Sequence, residues 1–144
     1  MPFFNSQRYL EESIESIICQ DINFKENIQL ILINDGSEDE SENIALKYKN
    51  EYPENIILLS QQHSGYNIAR NLGLSYAKGK YLHIIDSDDY LDENTLSNVC
   101  SFFESNENKI DVVTIPVKFF EQINGYSELN NDDLEKPEII DLIN

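Results

Sequence analysis

Residues 27–61, "NIQLILINDGSEDESENIALKYKNEYPENIILLSQ", decide the fold. Ile28 to Ile33 form a near-continuous apolar run, which reads as a strand covered on both faces. Asp35-Gly36 is a turn signal. Ser37 with Glu40 fits a capping box and predicts a helix from about Glu38 to Tyr52, ended by Pro53. A second apolar run, "NIILLSQ", starts at Asn55. Strand, helix, strand in close succession is the unit of an α/β domain with a mainly parallel sheet.

The alternation continues on both sides. Ser6 is placed to cap a helix whose apolar face is Leu10, Ile14, Ile17 and Ile18, and Asn23 to Glu26 are turn residues. "HSGYNIARNLGLSYAKGK" predicts a helix with Ile68, Ala69, Leu72 and Tyr76 on one side, stopped by Gly79. "KYLHII" reads as a further strand, Leu82 to Ile85. Asp92 caps a helix with Leu96, Val99, Phe102 and Phe103, and "DVVTIPVKFF" reads as a fourth strand, with Pro116 marking an edge, bulge or break. Beyond Gly125 the chain is polar and acidic. The predicted division is residues 1–125 as one domain and 126–144 as a polar tail or the start of another region.

The chain has 144 residues, and its formal charge of −17 makes free nucleic acid and anionic membrane poor partners without a metal or a local basic patch. Cys19 and Cys100 read as buried thiols, with no spacing that suggests zinc or a redox pair. No run of eighteen apolar residues and no signal-like opening occurs, which predicts a cytoplasmic protein.

The chemistry concentrates after Ile85, where Asp86, Ser87, Asp88 and Asp89 follow one another. A charge run is usually a solvated loop face. Here an apolar segment precedes it and a helix cap follows it, so the carboxylates are held close and raise one another's pKa unless a cation compensates. Mg²⁺ or Mn²⁺ suits such a site, needing one or two carboxylates plus substrate phosphates. Asp35 and Asp86 both fall at carboxyl ends of predicted strands, where ligands bind in such sheets. An EF-hand from Asp86 fails, with Leu91 at position six and Ser97 at position twelve; GxGxxG, P-loop and HExxH motifs are absent. Tyr90 stands where an aspartyl phosphatase wants a small hydroxyl residue. His83 reads as a structural strand residue; His63, in a loop before Gly65, is the more interesting histidine.

Three segments in this order, "PFFNSQRYLEESIESIICQ" (2–20), "ILINDGSEDES" (31–41) and "HSGYNIARNLGLSYAKGKYLHIIDSDD" (63–89), resemble the catalytic domain of family 2 inverting glycosyltransferases, up to about Phe120. The stretch "KIDVVTIPVKFFEQINGYSELN" (109–130) also looks like versions that build bacterial wall or capsular polymers. The resemblance implies the GT-A fold, a Rossmann-like three-layer α/β/α arrangement, here cut at both ends. It implies that Pro2, Phe3 and Phe4 line the nucleotide base and that Asp35 hydrogen-bonds it, commonly as uracil. Gly65 and Arg70 match the segment passing close to the nucleotide, although Arg70 also reads as a structural ion pair. Asp86 and Asp88 match the DxD motif, with Ser87 between them in the nucleotide-binding set. Asp88, with Asp86, would hold Mn²⁺ or Mg²⁺, and Asp89 completes the DSDD form.

The implied activity is metal-assisted, inverting transfer of a sugar from a nucleotide-diphosphate sugar, a UDP-sugar first among them, to a polysaccharide or glycan acceptor. The alternative is a module that binds nucleotide sugar without turnover. Membrane-associated machinery at the inner face of the membrane would be reached through regions outside the chain. Two departures stand out. The family has a full apolar strand before "PFFN", between the strands matching Ile28–Ile33 and Leu82–Ile85, whereas Met1 alone precedes Pro2 here. The family's general base comes from the acceptor-binding half, which places it beyond Asn144; Glu121, Glu128, Asp132 and Asp133 lack its context.

Overall fold

The computed structural model describes residues 1–106, 109–115, 119–121 and 125–127. Chain contacts divide it into two compact units, Met1–Cys100 and Ser101–Asn144. The first holds β1 (Pro2–Phe3), α1 (Leu10–Ile18), α2 (Phe24–Asn27), β2 (Leu30–Asn34), α3 (Ser41–Glu51), β3 (Ile56–Ser60) and α4 (Tyr66–Leu74). α5 covers Thr95–Ser105. In the second unit β4 (Phe119–Glu121) pairs antiparallel with β5 (Gly125–Ser127). Pro116 and residues 128–144, including Glu128, Asp132 and Asp133, lie outside the described residues.

The sheet of the first unit has the order β1-β2-β3, all parallel. β2 and β3 pair over their full length, from Leu30 opposite Ile56 to Asn34 opposite Ser60. The period-two alternation of β2 sends its side chains to two faces. Leu30 and Leu32 join Leu10, Ile14, Ile17, Ala45, Tyr48 and Ile56 in the core shared with α1 and α3. Ile31 and Ile33 point the other way, towards α4, where a Cβ on Gly73 would stand 2.8 Å from Ile33 Cδ1. The glycine lets α4 lie close on the sheet. Both faces of β2 are therefore covered, as its apolar run predicts.

Several local expectations are corrected. α4 buries Ala69 and Gly73 and ends at Leu74, before Gly79; Ile68 and Tyr76 are exposed. Ser37 and Glu40 form no capping box: α3 starts at Ser41, whose amide donates to Asp39 Oδ1, while Ser37 Oγ accepts from the Asn5 amide. Ser6 does not cap α1, whose N-cap is Tyr9; the Ser6 carbonyl accepts from the Tyr9 and Leu10 amides, and its hydroxyl turns to Ser87. Asn23 caps the short α2 by accepting from the Lys25 amide. Cys19 is exposed because it is the C-cap of α1, past the apolar stripe, and Cys100 is half-buried.

The larger correction concerns residues 80–85 and 111–115, which form no strand. Leu82 is 58% and Ile84 45% exposed, His83 is exposed too, and only Ile85 is buried. A strand needs a neighbour to receive its amides and carbonyls. The edge next to which Leu82–Ile85 was expected is β1, two residues long and starting with a proline that donates nothing. Along β2 the first residues still close the ladder: Ile33 N donates to Met1 O at 3.0 Å and Asp35 N to Phe3 O at 2.9 Å.

Candidate functional site

A cavity of about 320 Å³ opens at the carboxyl ends of β1 and β2. Pro2, Phe3 and Phe4 bring its first wall from β1 and the residue after it, and Asp35 brings the second from the end of β2. Asp86, Ser87 and Asp88 form the third, and His63 and Tyr66 complete the lining.

Asp35 is 3% exposed, yet its carboxylate is densely served. Oδ1 accepts from Gln61 Nε2 at 2.6 Å and from the Ser64 amide at 2.9 Å; Oδ2 accepts from the Gly65 amide at 2.9 Å and lies 3.0 Å from His63 Nδ1. Burial pushes this carboxyl up, but the Gln61, Ser64 and Gly65 donors and the His63 charge outweigh it and hold it below the ordinary carboxylate value. One buried anion thus organises the whole 61–65 loop. Gly36 allows the close approach: its φ is +80°, and a Cβ there would meet the His63 amide nitrogen at 2.8 Å. Gly36→Ala is therefore expected to cost about 1–3 kcal/mol, read from a urea unfolding midpoint, because a left-handed backbone and a backbone clash act together.

The acidic turn is held from below by α1. Ser13 Oγ donates to Asp86 O at 3.3 Å and closely to Asp89 O. Ser16 Oγ accepts from the Leu91 amide at 3.1 Å. Gln20 Nε2 donates to Asp92 O at 2.9 Å, and its Oε1 accepts from the Leu96 amide at 2.9 Å. Ser13 and Ser16 lie beside the apolar stripe of α1, and Gln20, two residues past its end, continues their spacing. They give the turn the partners that a strand would have supplied. Ser6 Oγ, 2.7 Å from Ser87 Oγ, ties the loop after β1 to the same turn. Gln20→Ala takes the side-chain partner from the part-buried Asp92 carbonyl and Leu96 amide, so the loss of two hydrogen bonds, roughly 1–3 kcal/mol in all, is expected by chemical denaturation.

Asp86 and Asp89 carry the strain of the cluster. Burial first, then repulsion from Asp89 and Asp88, raises the Asp86 carboxyl; burial and Asp88 raise that of Asp89. Arg70 answers part of this charge, with Nη2 3.1 Å from Asp86 Oδ1, while it also donates to Tyr66 Oη and lies over the Tyr66 ring. Arg70 and Gly65 do not line the cavity; they reach it through Asp86 and Asp35. Asp89 is also outside the lining.

The sequence profile described as Glycosyl transferase family 2 matches residues 1–139. The chain belongs to that family. It is similar to the minor teichoic acid biosynthesis protein GgaB of Bacillus subtilis (strain 168), at 50% identity over 131 residues, covering 91% of this chain and 14% of that protein. It is also similar to GgaA of the same organism, at 40% identity, covering 100% of this chain and 32% of that protein. The crystal structure of S. aureus TarS 1-349 in complex with UDP superimposes with a TM-score of 0.68 at 25% identity, covering 86% of this chain and 41% of that one. The parallel sheet with packed helices is the GT-A fold of these neighbours. This family 2 chain therefore spans well under half the length of the relatives it matches. Among the described residues no helix is long and apolar enough to cross a membrane.

The family resemblance implies a divalent metal at this cavity. Among the described residues of this family 2 glycosyltransferase chain no three His, Cys, Asp or Glu side chains converge as a ready cage. Two hard carboxylates, Asp86 and Asp88, face the cavity with charge that Arg70 only partly offsets. That donor set fits an ion of the Mg²⁺ or Mn²⁺ kind, which completes its shell with phosphate oxygens and water. Reading the sequence missed Ser13, Ser16, Gln20, Gln61 and Tyr66. The first three were legible in principle, as polar residues at helical spacing flanking an apolar stripe; nothing local marks the other two.

Proposed function

We propose that the chain is the donor-binding part of an inverting glycosyltransferase that moves a sugar from a UDP-sugar to a wall polymer of the teichoic acid kind. One observation carries the reading: an aromatic ring, a buried carboxylate and two acidic side chains converge on one cavity at the strand ends, Phe4, Asp35, Asp86 and Asp88. Phe4 offers a face for a base, and Asp35 an acceptor for a base N–H. The bacterial wall polymer follows from the names of GgaB and GgaA, and the uridine diphosphate from the TarS complex.

Asp86 and Asp88 would hold Mn²⁺ or Mg²⁺ against the diphosphate. A bound divalent ion supplies stabilisation of the negative charge that grows on the leaving nucleotide. Arg70, paired with Asp86, fixes that carboxylate while leaving Asp88 free to turn towards a ligand. Each cavity carboxylate then has a donor-side task, and the base that deprotonates the acceptor hydroxyl belongs to the acceptor half of the full-length protein. Titration calorimetry of the folded chain with UDP, with and without Mn²⁺, tests the reading. Binding that strengthens with Mn²⁺ supports it; no binding under either condition overturns it.

A further inference from the structure

The base end of the cavity already contains a ring. The His63 imidazole is stacked on Phe4, with ring centroids 4.2 Å apart and planes inclined by 29°. Its Nδ1 is 3.0 Å from Asp35 Oδ2 and 3.0 Å from the Asp35 carbonyl oxygen. Both partners are acceptors only, so Nδ1 carries the proton and donates. A planar nitrogen ring that lies on an aromatic face and gives an N–H to a buried carboxylate reproduces what a pyrimidine base would do at this place.

We propose that His63 is an internal stand-in for the nucleobase, and that a base must displace it to bind. The proposal rests on the donor-binding reading above. Three features carry it beyond that reading. The four near positions around the Asp35 carboxylate are filled by Gln61, His63, Ser64 and Gly65, so a base N–H has no free oxygen site until one donor leaves. Two of those donors are backbone amides fixed by the loop. Of the two side chains, the His63 ring is 59% exposed and has room to swing out. Its backbone stays in place, because its amide nitrogen is packed on Gly36. His63 thus keeps the Asp35 carboxylate satisfied, and its displacement sets a cost on base binding that the diphosphate end does not share.

The test compares the wild-type chain with His63→Ala, titrated with UDP and, separately, with inorganic pyrophosphate, both in Mn²⁺. Pyrophosphate has no base. Loss of one hydrogen bond and one ring stack to be displaced should tighten UDP binding by roughly 3- to 10-fold and leave pyrophosphate unchanged. UDP binding that is unchanged or weaker in the variant overturns the stand-in, and so does an equal gain for pyrophosphate. A second measurement needs no substitution: ring-current shifts of the His63 ring protons by Phe4 should collapse when UDP is added to the wild-type chain. Their persistence at saturation overturns the proposal while UDP binding itself still upholds the donor reading. No UDP binding by either folded protein overturns both.

Discussion

Asp88→Ala should lower the affinity for UDP in Mn²⁺ by on the order of 100-fold while leaving affinity without metal nearly unchanged. Loss of an outer-shell partner alone costs a metal site roughly 10- to 100-fold, and Asp88 is proposed as a direct ligand. The fold should not suffer. Asp88 is exposed and stands in a turn whose backbone is anchored elsewhere, at Asp86, Asp89, Leu91 and Asp92. An exposed substitution away from such anchors typically changes stability by no more than about 0.5 kcal/mol. Removal of one of three neighbouring negative charges also relieves Asp86 and Asp89. Paired calorimetric titrations and a urea curve separate the two effects. A metal-dependent isotherm identical to wild type would contradict the assignment of Asp88.

Asp35→Ala should damage stability instead, by roughly 3 kcal/mol, because it leaves the Ser64 and Gly65 amides without their acceptor and releases Gln61 and His63. The wild-type contribution depends on pH in a defined sense. The Asp35 carboxyl titrates below its ordinary 3.8 in the folded chain, so the unfolded chain takes up the proton first. Its stabilisation is complete above that value and drains away as pH falls towards the folded-state value. Urea midpoints measured between neutral pH and about pH 3 should therefore fall more steeply for wild type than for Asp35→Ala at the acid end. Parallel curves for the two proteins would show that this carboxylate does not carry the linkage.

The sheet was legible wherever a run of apolar residues had its partner within the chain. β2 and β3 satisfy each other's backbone, and α1 and α3 supply the apolar surface that covers one face. Leu82–Ile85 has the same composition and fails as a strand, since composition describes burial while a ladder also requires a neighbour of matching length. The acidic turn was legible as chemistry: three carboxylates in four residues made a cation the natural counterpart. Its mechanical support was not, because attention to Leu10, Ile14 and Ile17 passes over the serines and glutamine beside them. Asp35 was legible as a strand-end acid, but its four donors come from 61–65, a loop whose fold depends on the very anion it surrounds. Ser6 and Ser37 misled for a related reason. A hydroxyl at a helix start reads as a cap, and here both hydroxyls serve contacts distant in sequence.

The polar row that runs along α1 and just past its end makes that helix intolerant of length changes in a way that its substitution tolerance would hide. Deleting a single residue between Ser13 and Gln20 rotates everything downstream by about 100° about the axis. Gln20 would then swing off the Asp92–Leu96 backbone while Ser13 kept its grip on Asp86 and Asp89, twisting the acid-bearing segment between two fixed ends. A point change at exposed Glu12 does none of this. An insertion–deletion scan across residues 12–20 should therefore find a far sharper boundary than a scan of single substitutions at its outward positions.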